Sequence, residues 1–269
     1  MTPSPQTEVA AMPAPAAPGP PPPGASPWHE RRRVGTVLVT GAASGLGRAV
    51  ARAVGAAGGH PLLLDRVASR DASPELAGAL SAVVDLRDTR SAERAVAELV
   101  AEAGELDAVV TTTGIDRRGR MADIPGGAWD DVVRVNLLGT AAVIRSGLPR
   151  LRESRGRIVI VAATVGLRAL PEATARCAAD SGVVGMSRAL AAELAGQVGL
   201  TLLVTDATDA TDATDVTDVT GGAFAEGGPG PHRGDPYEVA DAVLYALTRP
   251  VGCEVREMVV GPATESSWP

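Results

Sequence analysis

Apolar positions along the chain switch between two periods, and the switching predicts strands and helices in turn. Val37-Leu38-Val39 is a short β-branched run suited to a strand buried on both faces, and Leu46, Val50 and Val54 follow it at helical spacing. Pro61 to Leu64 is a second apolar run, and a third strand closes at Asp85-Leu86. Ser91 to Ala103 places Ala95, Val96, Leu99 and Val100 on one helical face. Leu106 to Thr112 predicts a fourth strand, Trp129 to Glu153 one long helix, Arg157 to Ala163 a fifth strand, and Ala173 to Gly196 another helix. Pro236 to Thr248 carries Val239, Val243, Leu244 and Leu247 as an amphipathic helix, and Glu254 to Gly261 reads as a last strand. Val67 to Gly78 is polar and broken by Pro74, which predicts a loop with at most one weak helical turn. Strands separated by helices predict an α/β fold with a parallel sheet, and the alternation favours one domain over two for 269 residues.

The first strand and helix are joined by Thr40-Gly41-Ala42-Ala43-Ser44-Gly45-Leu46-Gly47. Gly41, Gly45 and Gly47 remove Cβ atoms where the turn is tight and where a pyrophosphate approaches backbone N–H groups, which the positive end of the next helix helps to hold. Asp65 ends the second strand about 20 residues on, where a carboxylate can accept both hydroxyls of an adenosine ribose. Strand, glycine turn, helix and carboxylate together predict a dinucleotide site.

The Thr-Gly-x-x-x-Gly-x-Gly spacing resembles the short-chain dehydrogenase/reductase family. Asp85-Leu86, Thr111-Thr112-Thr113-Gly114 in place of the usual Asn-Asn-Ala-Gly, and Val135-Asn136-Leu137-Leu138-Gly139 extend the likeness, which runs from about Val34 to Pro262. The resemblance implies a Rossmann-type doubly wound parallel sheet in a three-layer α/β/α domain over residues 31–269. It also implies an NAD(P) site. Thr40, Gly41, Ser44, Gly45, Leu46 and Gly47 would hold the phosphates, Asp65 and Arg66 the ribose, Asp85 and Leu86 the adenine, and Thr112 and Gly114 the far wall. Asp65 favours NAD over NADP because it repels a 2′-phosphate, while neighbouring Arg66 keeps NADP open. In the family the two long helices often pack against a second subunit, so a homo- or hetero-oligomer is implied.

At the end of the fifth strand the chain departs from the family. The family places a Ser three residues before a Gly, a Tyr thirteen residues after that Ser and a Lys four residues later. Anchored on Gly166, those positions carry Ala163, Arg176 and Asp180, and only the helix residue Asn136 is kept. Ala163 has no hydroxyl donor, Arg176 stays charged and cannot serve as a general acid near neutrality, and Asp180 inverts the local charge. Arg176 and Asp180 stand one helical turn apart, so an ion pair is expected, worth a few tenths of a kcal/mol if exposed. The rival reading makes Arg176 an anion or oxyanion binder, Asp180 a base and Cys177 a nucleophile. Residue 177 projects about 100° away from 176, which fits a small core residue better.

A net charge of −7 and a pI near 5.1 argue against a nucleic-acid surface. No apolar run reaches about 18 residues, so no membrane span is expected. Two cysteines, Cys177 and Cys253, and three scattered histidines make neither a disulfide framework nor a metal cluster, and a cytoplasmic, metal-free chain is the expectation. Residues 1–30 hold roughly half of the 21 prolines and almost no large apolar groups, so they read as a disordered tail, with Pro20 to Pro23 a candidate polyproline ligand. Thr205 to Thr220 repeats Asp206, Asp209, Asp212, Asp215 and Asp218, each after a Thr. A solvated repeat expansion fits this better than a Ca²⁺ loop, which needs glycine turns and carbonyls. Gly221 to Gly234 reads as a flexible lid or plain disorder, and Trp28 and Trp268 bracket the domain from its tails. Residues 245–250 and 254–260 resemble the end of a short-chain subgroup acting on hydroxy acids.

The expected function is an NAD(P)-binding oxidoreductase by resemblance, with ordinary carbonyl–alcohol hydride transfer weak or lost and the small-molecule substrate unknown. Two rivals remain: a non-catalytic NAD-binding or partner subunit of an active relative, and a non-redox lyase or cyclase that reuses the pocket.

Overall fold

A computed structural model describes residues 32–43, 45–205 and 235–261. The proline-rich tail, Ser44, the Thr/Asp repeat from Asp206 onward, the glycine-rich stretch and Trp268 lie outside the described residues. The elements run β1 Thr36–Thr40, α1 Gly45–Ala56, β2 His60–Asp65, β3 Ser81–Val83, α2 Thr89–Ala103, β4 Ala108–Thr111 and α3 Gly126–Val133. A π-helical stretch Arg134–Gly139 leads into α4 Thr140–Ser154, followed by β5 Arg157–Ala162, α5 Thr174–Glu193, β6 Gly199–Thr205, α6 Pro236–Leu247 and β7 Glu257–Val260. Single 3-10 turns sit at Pro74–Leu76 and Thr164–Gly166.

The seven strands among the described residues are all parallel, in the order β3-β2-β1-β4-β5-β6-β7. The chain therefore winds outward twice from the β1–β4 junction, which is the doubly wound α/β arrangement expected from the alternating pattern. The period-two alternation of each buried strand divides its side chains between two helix layers. Leu38, Val109, Ile158, Ile160 and Leu202 face α2, α4 and α5, whereas Val37, Val39, Val110, Val159 and Leu203 face α1 and α6. Each such Leu, Ile or Val contributes about 2 kcal/mol by burial relative to exposure. At the switch point Thr40 of β1 pairs in register with Thr111 of β4, and the crevice outside their carboxyl ends is the ligand position of this architecture.

Three predicted elements are corrected. The third strand ends at Val83, before Asp85-Leu86, because the Asp85 carboxylate accepts the Arg87 N–H and turns the chain out of the sheet. The long helix is helical without a break from residue 126 to 154, starting before Trp129, but its pairing changes to π-helical over Arg134–Gly139 between α3 and α4. The last strand begins at Glu257 instead of Glu254; residues 255 and 256 still approach β6, where Thr201 Oγ1 donates to the Val255 carbonyl at 2.5 Å. The apolar runs did not predict strand β6, in which Leu200, Leu202, Leu203 and Val204 are all buried.

One buried cation ties the C-terminal segment to the sheet. Arg157, at the start of β5, donates from Nη2 to the carbonyls of Arg249, Pro250 and Cys253 at 2.8, 3.1 and 3.2 Å. Burial pushes its pKa below the usual guanidinium value.

Candidate functional site

The glycine turn is closed by its own backbone. Gly41 and Gly45 have φ of +69° and +49°, the left-handed region where a side chain is strained. A Cβ on Gly47 would lie 2.1 Å from the Gly41 carbonyl oxygen and 2.8 Å from Thr112 Oγ1, so α1 can begin this close to β1 and β4 only with glycine there. Leu46 is buried beneath the turn and anchors it to the α1 core. Asp65, at the carboxyl end of β2, is fixed by two backbone donors: Ala43 N–H to Oδ2 at 3.0 Å and Val67 N–H to Oδ1 at 3.2 Å. Its carboxylate is thereby held beside the turn, and Arg66 next to it is exposed.

Asp85 and Leu86 form the adjoining wall. The Arg87 guanidinium beside Asp85 holds its carboxyl below the usual carboxylate range, through Nη2 at 2.6 Å and Nε at 3.0 Å, and Arg87 also reaches Asp131 at 3.1 Å. Leu86 is buried against Gly139, where an added Cβ would meet the Leu86 Cβ at 2.8 Å. This close approach sits at the end of the π-helical stretch.

Beyond β4 the chain is pinned to β1 by hydroxyls. Thr112 Oγ1 donates to the Thr40 carbonyl at 2.6 Å, and the Thr112 and Thr113 N–H groups both donate to Thr40 Oγ1. The π-helical stretch carries Asn136, which is buried and clamps Ile115 from both sides: the Ile115 N–H donates to Oδ1 at 2.8 Å and Nδ2 donates to the Ile115 carbonyl at 2.9 Å. A π-bulge at a functional position is a recurrent device for aiming one side chain.

The Ile115 carbonyl accepts a second bond, from Arg176 Nη1 at 3.3 Å. Arg176 also donates from Nε to Asp180 Oδ2 at 2.7 Å, and the same Oδ2 accepts the Ala163 N–H at 3.2 Å. The ion pair expected from the sequence is therefore present, and it is buried: the two side chains are 13% and 4% exposed. The pair lies between Gly114, whose hypothetical Cβ would meet Arg176 Nη2 at 3.4 Å, and the turn after β5, where Gly166 packs on the Asp180 backbone. The cavity left among Thr112, Thr113, Gly114, Asn136, Arg176 and Asp180 is about 20 Å³. Cys177 is half-buried instead of sitting in the core, and its thiol faces the Leu170 carbonyl at 3.9 Å, outside this cavity.

The structure thus gathers Thr40, Gly41, Gly45, Gly47, Asp65, Thr112 and Gly114 along the crevice, with Asn136, Arg176 and Asp180 at one end of it. Ser44 lies outside the described residues. Sequence reasoning did not single out Ile115, the backbone node joining Asn136 to Arg176, or Arg87, the tie on Asp85. Arg87 stands two residues after Asp85, a spacing that signals a local carboxylate turn; Ile115 carries no such mark.

A doubly wound parallel sheet with a glycine turn at its switch point and a carboxylate at the end of β2 defines a dinucleotide-binding α/β protein. The family profile described as short chain dehydrogenase matches residues 35–219, and the chain belongs to that family. It is similar to D-threitol dehydrogenase of Mycolicibacterium smegmatis, 34% identical over 173 residues, covering 60% of this chain and 64% of that protein's length. Among solved structures it is similar to an alcohol dehydrogenase from Thermococcus sibiricus complexed with 5-hydroxy-NADP, with a TM-score of 0.75, 21% identity and coverage of 87% of this chain and 99% of that one. It is also similar to carveol dehydrogenase from Mycobacterium avium in complex with NAD, with a TM-score of 0.67, 24% identity and coverage of 84% and 95%. These two likenesses bear on the fold. No helix among the described residues is long and apolar enough to cross a membrane.

The family's cofactor supplies hydride chemistry when bound. The glycine cradle and the oriented Asp65 fit its adenosine and pyrophosphate portion. The small cavity beside Arg176, about 20 Å³, has room for about one water molecule.

Proposed function

We propose that the chain is an NAD(H)-binding member of the short-chain dehydrogenase family in which ordinary hydride transfer between carbonyl and alcohol is weak or lost. The observation that carries this reading is the buried Arg176–Asp180 pair at the positions the resemblance assigns to a Tyr and a Lys. A general acid must lend a proton near neutrality, and a guanidinium does not. Ala163 offers only its backbone N–H, and that is already given to Asp180. Asn136 spends both ends of its carboxamide on Ile115.

NAD is favoured over NADP because the Asp65 carboxylate is held in place by two N–H donors and would face a 2′-phosphate with like charge. The test is calorimetry with NAD⁺ and NADP⁺, beside an assay for NADH-dependent reduction of a carbonyl panel. Binding of NAD⁺ without turnover supports the proposal; absence of binding or tighter NADP⁺ binding counts against the cofactor assignment, and turnover against the lost centre.

A further inference from the structure

At the amino ends of β1 and β2, the opposite end of the strands from the glycine turn, lies a groove of about 430 Å³, within the range of small-molecule sites. Pro61, Leu62 and Leu80 give it an apolar floor. Its carboxylates come from two separate elements: Glu75 from the turn Pro74–Leu76, and Glu102 and Glu105 from the last turn of α2 and just beyond it. Glu105 is held in place, since Thr36 Oγ1, on a residue 2% exposed, donates to its Oε1 at 2.9 Å. Among the described residues no Arg or Lys lines the groove. The backbone adds to this field. α1 ends three residues before Gly59 and α2 ends at Ala103, both of which line the groove, and neither helix has a basic residue in its last turn. A helix carboxyl end carries partial negative charge, so Glu102 there is unfavourable without a cation beside it.

We propose that this groove binds an aliphatic polyamine, with its ammonium groups on Glu75 at one side and on Glu102 and Glu105 at the other, and its methylene chain on Pro61, Leu62 and Leu80. Among the described residues no three His, Cys, Asp or Glu side chains are grouped to hold a metal ion, so the cation that fits is organic. Carboxylates on two elements select a ligand charged at both ends over a simple amine. The apolar floor selects a methylene chain over a compact hydrated ion. The attraction acts between exposed charges, so affinity falls as salt rises. The site is separate from the glycine turn, and its occupancy does not depend on the nucleotide reading.

The experiment is calorimetry of the full chain with spermidine and with butylamine at low ionic strength, beside amide NMR shifts. Spermidine is expected to bind at least about tenfold tighter than butylamine and to move the amide signals of Gly59, Gly78 and Ala79. Glu75→Gln and Glu102→Gln each weaken spermidine binding about fivefold or more. Glu98→Gln removes the same charge from an exposed position of α2 outside the groove, and changes it by less than about twofold. All three carboxylates are exposed, so the variants keep the fold. Equal weakening in the three variants marks general attraction to a chain of net charge −7 and overturns the proposal. Butylamine binding as tightly as spermidine, or no heat with spermidine at about 10 mM, overturns it as well.

Discussion

Arg176 and Asp180 form an ion pair across one turn of α5 at 2.7 Å, and the carboxylate is 4% exposed. A surface pair at this spacing would be worth little, whereas breaking a buried one leaves a charge without compensation. Arg176→Ala and Asp180→Ala should each lower the unfolding free energy by about 3 kcal/mol. The double variant should lose well below the sum of the two, with a coupling of at least about 1 kcal/mol in urea unfolding. Additive losses would contradict the buried pair.

Gly47→Ala should abolish nucleotide binding and destabilise the domain by about 1–3 kcal/mol. Its Cβ would stand 2.1 Å from the Gly41 carbonyl oxygen, so α1 must move away from the turn. Gly126→Ala is the control, since nothing lies within 4 Å of the added methyl. Calorimetry and thermal melting read both; unchanged binding by Gly47→Ala would contradict the cradle.

The glycine turn and the place of Asp65 were legible in the sequence because they are matters of backbone: glycine spacing and a carboxylate after a strand report a turn without help from distant packing. The Arg176–Asp180 pair was legible as a pair but not as a buried one. Its burial depends on Gly114, Ile115 and the end of β5, which no local pattern joins to α5. The π-helical pairing at Arg134–Gly139 leaves no mark in the hydrophobic period, which predicts one uniform helix. Arg157 opens the fifth apolar run with nothing local to mark its partners, and only the fold shows three carbonyls converging on it.

Asp65→Ala should weaken NAD⁺ binding about tenfold and leave NADP⁺ binding unchanged or improved. On the proposed NAD site, the carboxylate would supply the ribose acceptor and the like charge against a 2′-phosphate. Equal losses for both cofactors, measured by calorimetry, would show that Asp65 acts only by tying Ala43 and Val67.

The pH dependence of stability should carry a contribution from Asp71. Arg52 donates to it at 2.7 and 2.9 Å and holds its carboxyl well below the usual carboxylate range. The folded state therefore binds fewer protons at this site than the unfolded chain, so its contribution is present above the unfolded value near 4 and is lost as pH falls toward the depressed folded value. Asp71→Asn should cost about 1–2 kcal/mol at pH 7, and its deficit against wild type should shrink steadily below about pH 4. A deficit that stays constant with pH would contradict the pairing.

The central claim is that the centre beside Asn136 has no proton relay for carbonyl reduction. Its most direct test is deuteride transfer: the purified wild-type chain is incubated with NADH deuterated at the transferable position and a panel of hydroxy-acid, sugar and aromatic carbonyl precursors, and the products are read by mass spectrometry. The account predicts no labelled alcohol above the rate without protein. Labelled product from the wild-type chain, at multiple turnovers, would contradict it and establish that Arg176 and Asp180 serve a different relay.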